Sequence, residues 1–408
     1  MVIKKKESLL YLFILTATLL PAFRGESCNG QAGDYFFRVY FKDKGGINPG
    51  SYAPGKLLGS KAIARRIKYG IPYPDIYDLP VYKPYLDAIA NLGFSLHSCS
   101  KWLNSALFTG SNPDAAGILQ SQGFVREVAI VKRPVGKSGY TDKLDTRYEE
   151  VSLFDYDNPV MMLNGRSLHN SGFDGSGVTI AVLDGGFYNA DIISSLSNLR
   201  QTNRIKGTYD FVRKSENVYS FHNHGTAVLS VLAGDSPGFI RGSAPGASYW
   251  LFRTEDTSTE FPAEEDYWAA AAEFADSAGA DIISTSLGYS TFDDPEMDYK
   301  YADMDGKTTF ISRAAEIAAS KGILVVASAG NERNKPWVRI VAPSDGANVI
   351  SAGAVDVNNV ISAFSSAGPS SDNRVKPDNV AQGVSVIVQV NEKSFSSASG
   401  TSFSCPVL

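Results

Sequence analysis

Apolar positions follow two regimes along the chain. Up to about Lys132 they come in short runs. "DYFFRVYF" (34–41), "FSLHSC" (94–99), "SALFTG" (105–110) and "FVREVAIV" (124–131) predict strands rich in aromatic and β-branched residues. "PYLDAIANLG" (84–93), closed by Gly93, predicts a short helix, as does the segment opened by Asn112-Pro113 and running to Gly123. The order strand, helix, strand, strand, helix, strand predicts a split βαβ, ferredoxin-like α+β sandwich. A Gly-, Pro- and Tyr-rich insertion, 45–84, lies between the first strand and the first helix, and a charged stretch of low hydrophobicity, 133–150, ends the regime.

In the second regime, aliphatic runs alternate with helical patterns. "GVTIAVLDGG" (177–186) carries a run from Val178 to Leu183 that stops at Asp184; "DIISTSLG" (281–288) and "ILVVASAGN" (323–331) behave alike. Between them, "HGTAVLSVLAGD" (224–235), "EDYWAAAAEFADSAG" (265–279) and "FISRAAEIAASKG" (310–322) predict helices, the last capped by Thr308 or Thr309 and ended by Gly322. Strands apolar along their whole length, separated by helices, predict an α/β unit with a doubly wound, mostly parallel sheet.

At 408 residues the chain exceeds what one core usually serves, so two domains and a targeting segment are expected. Lys4, Lys5 and Lys6 precede an apolar run from Leu9 to Leu20, and small and polar residues follow. This is the layout of a secretory signal, ending after Ser27. The run is short of the roughly 20 residues that span a bilayer, and no other stretch is apolar enough, so no transmembrane span and a secreted or extracytoplasmic location are expected. Lipid attachment at Cys28 is the alternative, with Gly25 and Glu26 fitting it poorly. A net charge of −5 without a basic patch argues against nucleic acid as a partner. Three distant cysteines, Cys28, Cys99 and Cys405, form neither a disulfide framework nor a metal-ligand spacing.

Ligands of open parallel sheets bind beyond the carboxyl ends of the strands. Asp184, Ser286-Leu287-Gly288 and Ser328-Ala329-Gly330-Asn331 follow three such strands. Of four histidines, His97 belongs to the first regime and His169 precedes the first long strand, leaving His222 and His224 in "FHNHGTAV" (221–228). Ser402 stands in the closing "GTSFSCPVL" (400–408). A serine hydroxyl becomes nucleophilic when an imidazole takes its proton and a carboxylate fixes the imidazole's tautomer, and a strand-end Asn can donate to the resulting oxyanion. Asp184, His224, Ser402 and Asn331 supply those types. Blander readings stand beside this one. Asp184-Gly-Gly is a strand-to-loop turn lacking the third glycine of a dinucleotide loop; His222 and His224 form a metal pair without a third ligand; Cys405 packs as an inert buried thiol. "FDDPEMDYKYADMDGK" (292–307) has six acidic residues but not the spacing of a calcium loop, so an acidic solvated loop is expected and structural Ca²⁺ is the alternative.

These segments together resemble the subtilisin-like serine peptidases, with the acid, imidazole and alcohol in the chain order of that family. "AVLDGG" is similar to its aspartate segment, "HGTAV" to its histidine segment, "ASAGN" to its oxyanion asparagine segment and "SGTSFSCP" to its serine segment. "GSAPGA" from Gly242, "SLG" at Ser286 and "KPDNVAQG" from Lys376 agree. Gly185 departs from the usual Ser or Thr, and Gln382 from a frequent Pro. The resemblance covers about Leu163 to Leu408. It implies a secreted serine endopeptidase acting through an acyl-enzyme, with no required cofactor, on protein or peptide substrates. It also implies that Ser286 to Gly288 pair with substrate backbone and that Ser328 to Gly330 wall a substrate pocket. The N-terminal sandwich resembles a propeptide that acts as an intramolecular inhibitor.

The expected division is 1–27 signal peptide, 28–134 propeptide-like domain, 135–150 linker with the processing site, and 151–408 catalytic domain. In the family the serine opens a buried helix continuing well past the proline. Here six residues follow Ser402, so a C-terminally incomplete fragment, unstable or poorly active at this length, is expected. The competing functions are a catalytically inactive peptidase-fold binding protein and a metal-dependent hydrolase using His222 and His224.

Overall fold

The computed structural model describes residues 34–134, 143–144, 146–151 and 158–408. The expected signal segment, Cys28 and much of the linker lie outside the described residues.

The first unit is the expected sandwich. Strands β1 (Tyr35–Phe41), β2 (Ser95–Ser100), β3 (Ser105–Gly110) and β4 (Val125–Lys132) form one antiparallel sheet in the order β2-β3-β1-β4. One face of β1, with Phe37, Val39 and Phe41, packs with Ile89 of helix α2 (Lys83–Ala90) and Leu119 of helix α3 (Ala115–Gln120). Helix α3 is shorter at both ends than the span from Asn112 to Gly123, which tight turns complete. The insertion also holds a helix that the sequence pattern does not reveal, α1 (Ser60–Tyr69), stopped by Gly70 at φ +67°. Its buried residues are Ala62, Arg65 and Arg66, so no apolar stripe announces it.

The second unit is built on seven parallel strands. In chain order they are β6 (Thr179–Asp184), β7 (Ile205–Asp210), β8 (Ser248–Arg253), β9 (Ile282–Thr285), β10 (Leu324–Ser328), β11 (Val349–Val355) and β12 (Asn379–Gln382); in space they run β12-β11-β10-β9-β6-β8-β7. From β6 the chain passes to the edge strand β7, comes back with β8 between β7 and β6, and then continues on the other side of β6 with β9 to β12, so the connections from β6 and from its neighbour β9 lead in opposite directions. Burial on both faces explains the unbroken aliphatic run. Ala181 and Leu183 join the core beneath helices α5 (Ala263–Ala278) and α6 (Phe310–Ser320), while Ile180 and Val182 join the core around helix α4 (His224–Ala233) and Phe403. Thr309 caps α6 by accepting the Ser312 N–H at 3.2 Å.

The other face of the first sheet lies on α5. Phe36, Leu107 and Val131 pack with Ala263 and Tyr267, and ion pairs surround them. Arg38 donates to Asp266 at 2.8 and 2.6 Å and to the Pro262 carbonyl at 2.6 Å. Glu273 accepts from the Ser100 hydroxyl at 2.6 Å and from the N–H groups of Lys101 and Trp102 at 3.0 Å. Arg66 reaches Asp276 at 2.5 Å and Asp78 at 2.7 Å, and Arg65 also bonds Asp276. Removing one partner of such a buried pair strands the other charge, at a cost of about 3–5 kcal/mol.

His97 sits in this interface, its ring 5.3 Å from that of Phe36 and 5.2 Å from that of Tyr267. Among the described residues its Nε2 has no hydrogen-bond partner. Burial, aided by Lys214 and Lys132, pushes its pKa from 6.5 down to about 3. The unfolded chain therefore takes up this proton first as pH falls, so the stability that neutral His97 contributes is intact above about pH 6.5 and is lost towards pH 3. The thermal midpoint of His97→Phe should fall less than that of the parent chain between pH 7 and pH 4; equal slopes would refute this.

Candidate active site

The carboxyl end of β6 delivers Asp184, which is 1% exposed, to the point where the winding reverses. The Gly185 N–H donates to its Oδ1 at 2.7 Å. Two glycines let α4 approach it. A Cβ on Gly225 would lie 2.5 Å from the Gly186 carbonyl oxygen and 2.9 Å from Asp184 Cβ; Gly186 itself has φ +148° and no room for a side chain against His222. His224, the first residue of α4, thus meets the acid, with Nδ1 2.8 Å from Oδ1 and 3.0 Å from Oδ2. With Nδ1 directed at the carboxylate, Nε2 is the ring nitrogen turned away from Asp184. The His224 N–H is held by His222 Nδ1 at 3.1 Å, so His222 caps the helix start. The two rings stand 6.4 Å apart, and each directs its Nδ1 to a protein partner.

Ser402 lies in the short helix α7 (Thr401–Ser404), and the ring of the next residue, Phe403, is 6.0 Å from that of His224. The Ser402 hydroxyl donates to the Ser286 carbonyl at 3.1 Å, and the Ser286 hydroxyl donates to the Ser402 carbonyl at 2.9 Å. Ser402 is thus tied reciprocally to the end of β9. Asn331 completes the cluster. Its Oδ1 accepts from the Thr401 N–H at 2.9 Å and the Thr401 hydroxyl at 3.0 Å, which leaves the NH₂ as its open end. That nitrogen lies 3.6 Å from where a Cβ of Gly400 would be.

The segments expected to hold a peptide flank this cluster. Leu287 is buried, and Gly288 lies so close to Val341 that a Cβ would meet its side chain at 2.4 Å. Ser328 ends β10, the Ala329 N–H donates to the Ala352 carbonyl at 2.9 Å, and the Gly330 carbonyl accepts from the Ser366 N–H at 2.9 Å. Among the other histidines, His169 bonds the Ser243 carbonyl and His97 lies in the interface between the two units. The acidic residues of 292–307 are engaged in loop structure. Asp293, Asp298, Asp303 and Asp305 accept backbone N–H groups, and Asp294 and Glu296 pair with Arg133.

The linker reaches the site from two sides. The Leu144 side chain fills the space beside Gly185, where a Cβ would meet it at 2.4 Å, which accounts for glycine at this position. Further on, β5 (Glu149–Glu150) pairs antiparallel with Ser396–Ser397, a few residues before Ser402. Sequence reasoning missed Thr401 as the residue that orients Asn331, and also the Ser286 hydroxyl; their only signal is proximity in chain to Ser402 and the strand end.

A doubly wound parallel sheet with a buried acid–imidazole pair at its switch point, beside a serine opening a helix, defines a class of hydrolase folds. The chain belongs to the Subtilase family, whose model matches residues 175–408, and residues 36–150 match the peptidase S8 propeptide domain of Bacteroidota. It is similar to Subtilisin E of Bacillus subtilis (strain 168), 29% identical over 251 residues that cover 60% of this chain and 57% of that protein. It is also similar to the Thermophilic serine proteinase of Bacillus sp. (strain AK1), 30% identical over 57% of this chain and 50% of that protein. Subtilisin BL of Lederbergia lenta is 30% identical over 58% of this chain and 76% of that protein. The chain thus spans little more than half the length of the first of these relatives. Among the described residues no helix is long and apolar enough to cross a membrane.

Cys405, three residues past Ser402, is buried against the Val326 and Thr285 carbonyls, and burial pushes its thiol up to about 11. Burial pushes the Cys99 thiol up to about 12. At pH 8 only about one Cys405 in a thousand is thiolate. Iodoacetamide at pH 8 should leave both cysteines unmodified in the native chain and alkylate both in denaturant, as read by peptide mass spectrometry; native labelling of Cys405 would overturn this.

Proposed function

We propose that the protein is a secreted serine endopeptidase, made with a propeptide domain that inhibits it until the linker is cut. The observation that carries the reading is the buried Asp184–His224 pair beside the Ser402 turn, with the Asn331 amide nitrogen open towards Gly400. Ser402 Oγ turns from the Ser286 carbonyl towards His224 and attacks the peptide carbonyl carbon, and its proton passes to Nε2. Asp184 holds the tautomer and stabilises the imidazolium. The tetrahedral oxyanion takes N–H groups from Asn331 and from the backbone at Ser402. His224 then gives its proton to the leaving amine, and water, activated by the same imidazole, hydrolyses the acyl-enzyme. Ser286 to Gly288 extend β9 as an edge to which substrate backbone is added, with Ser328 to Gly330 opposite. Every step is assigned to a side chain or backbone group, so no cofactor is required.

A fluorophosphonate probe should label the processed protein on Ser402, and Ser402→Ala should abolish labelling. Absence of labelling in protein whose linker has been cut would refute the reading. Asn331→Leu should lower kcat by about 10²–10³ with little change in KM.

The two ends of the linker support a processing bond between residues 144 and 149. Leu144 lies on the Asp184 side of the cleft and Glu149 on the Ser396 side. N-terminal sequencing of the processed protein should give a first residue between 145 and 149; a start outside that window would show that the linker is cut elsewhere.

A further inference from the structure

Beside Gly185, three carboxylates of the second unit converge on one point. Glu255 follows β8, Glu260 lies in the loop after it and Glu264 is in the first turn of α5, and their ligand oxygens lie within 4.8 Å of one another. Glu255 and Glu264 are buried. Into this point comes the ammonium of Lys143, 2.6 Å from Glu255 Oε2, 2.9 Å from Glu260 Oε2 and in contact with Glu264 Oε2. Its Nζ also stands 5.9 Å from the ring centre of Tyr289, whose hydroxyl bonds Glu255. Tyr289 directly follows Gly288, and a Cβ on Gly185 would meet Leu144 and lie 3.6 Å from Glu255 Cβ, so the cluster adjoins the strand ends that carry Asp184 and Ser286.

Two features mark a site for a ligand rather than a structural ion pair. The first is stoichiometry. An ammonium has three N–H donors, and each here finds a separate carboxylate, so one positive charge faces three acids. The second is an unused acceptor: Glu264 is 1% exposed, and its Oε1 has no hydrogen-bond partner among the described residues. Although burial opposes the charged form of Lys143, the three acids hold its pKa well above the ordinary lysine value. Burial pushes Glu260 up to about 7 in spite of the lysine. When Lys143 leaves, the acids are left crowded and partly desolvated, a state that another ammonium relieves.

We propose that Glu255, Glu260 and Glu264 form a lysine-binding subsite of the peptide cleft, filled by Lys143 before processing and by a substrate lysine afterwards. The inference rests on the peptidase reading above. The pocket discriminates by geometry as well as charge. Three acceptors around one point suit a tetrahedral ammonium, whereas a guanidinium presents a planar fork.

The test uses the processed protein and fluorogenic peptides with Lys, Arg or norleucine placed in turn at each of the six positions before the cut bond. At one position Lys should exceed norleucine by at least about tenfold in kcat/KM, with Arg between. The Lys-to-norleucine ratio should fall towards one in Glu264→Gln and, as a second variant at a more exposed site, in Glu260→Gln. Labelling of Ser402 with equal turnover of all three peptides at every position overturns the subsite and leaves the peptidase reading standing. Equal turnover combined with activation by added Ca²⁺ assigns the pocket to a cation and also overturns it. If Ser402 is not labelled, the peptidase reading fails, and the same peptides are read as ligands by fluorescence anisotropy. Tighter binding of Lys than norleucine then supports the pocket, and equal affinity overturns it.

Discussion

Seven strands that all run the same way must present all their carboxyl ends at one edge, and the site depends on that constraint. Residues separated by hundreds of positions are brought together because each follows a strand. Asp184 ends β6, Ser286 follows β9 and Asn331 lies three residues beyond β10. The reversal of winding at β6 opens the crevice there, and α4 and α7 enter it from one face of the sheet. Side-chain chemistry is then a matter of close approach. Gly186 and Gly225 set how near α4 comes to β6, and so set the 2.8 Å contact between His224 and Asp184.

The polar groups at this edge are held by one another. Ser286 and Ser402 exchange hydroxyl-to-carbonyl bonds, and Thr401 takes the Asn331 carbonyl oxygen with both its N–H and its hydroxyl. The amide nitrogen of Asn331 is thereby oriented without using the group that has to donate. Such an arrangement removes reorganisation from the moment when charge develops. The Ser402 hydroxyl, in turn, has its proton committed to the Ser286 backbone carbonyl.

Much of this was legible in sequence because the chemistry sits at strand ends beside glycines. The unbroken run from Val178 to Leu183 ending on Asp184, and the Gly-Thr pair after His224, report burial on both faces and close helix approach. What escaped the sequence was charge buried across long separations. Helix α1 has Arg65 and Arg66 where an amphipathic helix would place apolar residues, because their partner is Asp276, more than two hundred positions away. The link from Lys143 to its three acids was hidden for the same reason. A residual signal exists. Residues 255–276 carry eight acidic side chains and no Lys or Arg, yet include the apolar run "YWAAAAEFA" (267–275). A helix so acidic and so buried has to find its cations elsewhere.

Those cations come from the first 150 residues. Residues 34–150 carry sixteen Lys and Arg against eleven Asp and Glu, although the whole chain is negative. Arg38, Arg65, Arg66 and Lys143 each pair with an acid on or just before α5. The complementarity is therefore distributed unevenly. Along the body of α5, Arg38 faces Asp266 and Glu265, and Arg65 and Arg66 share Asp276, so bases and acids are closer to balance there and fix the orientation of the sandwich. The cluster next to Gly185 is left with more acid than base. Binding of the sandwich needs only the first kind. An excess of carboxylate retained at the cleft, where it raises the desolvation cost of the folded chain, has an explanation in recognition of a second cation, and that argument singles out Glu255, Glu260 and Glu264 from the other acids of the segment.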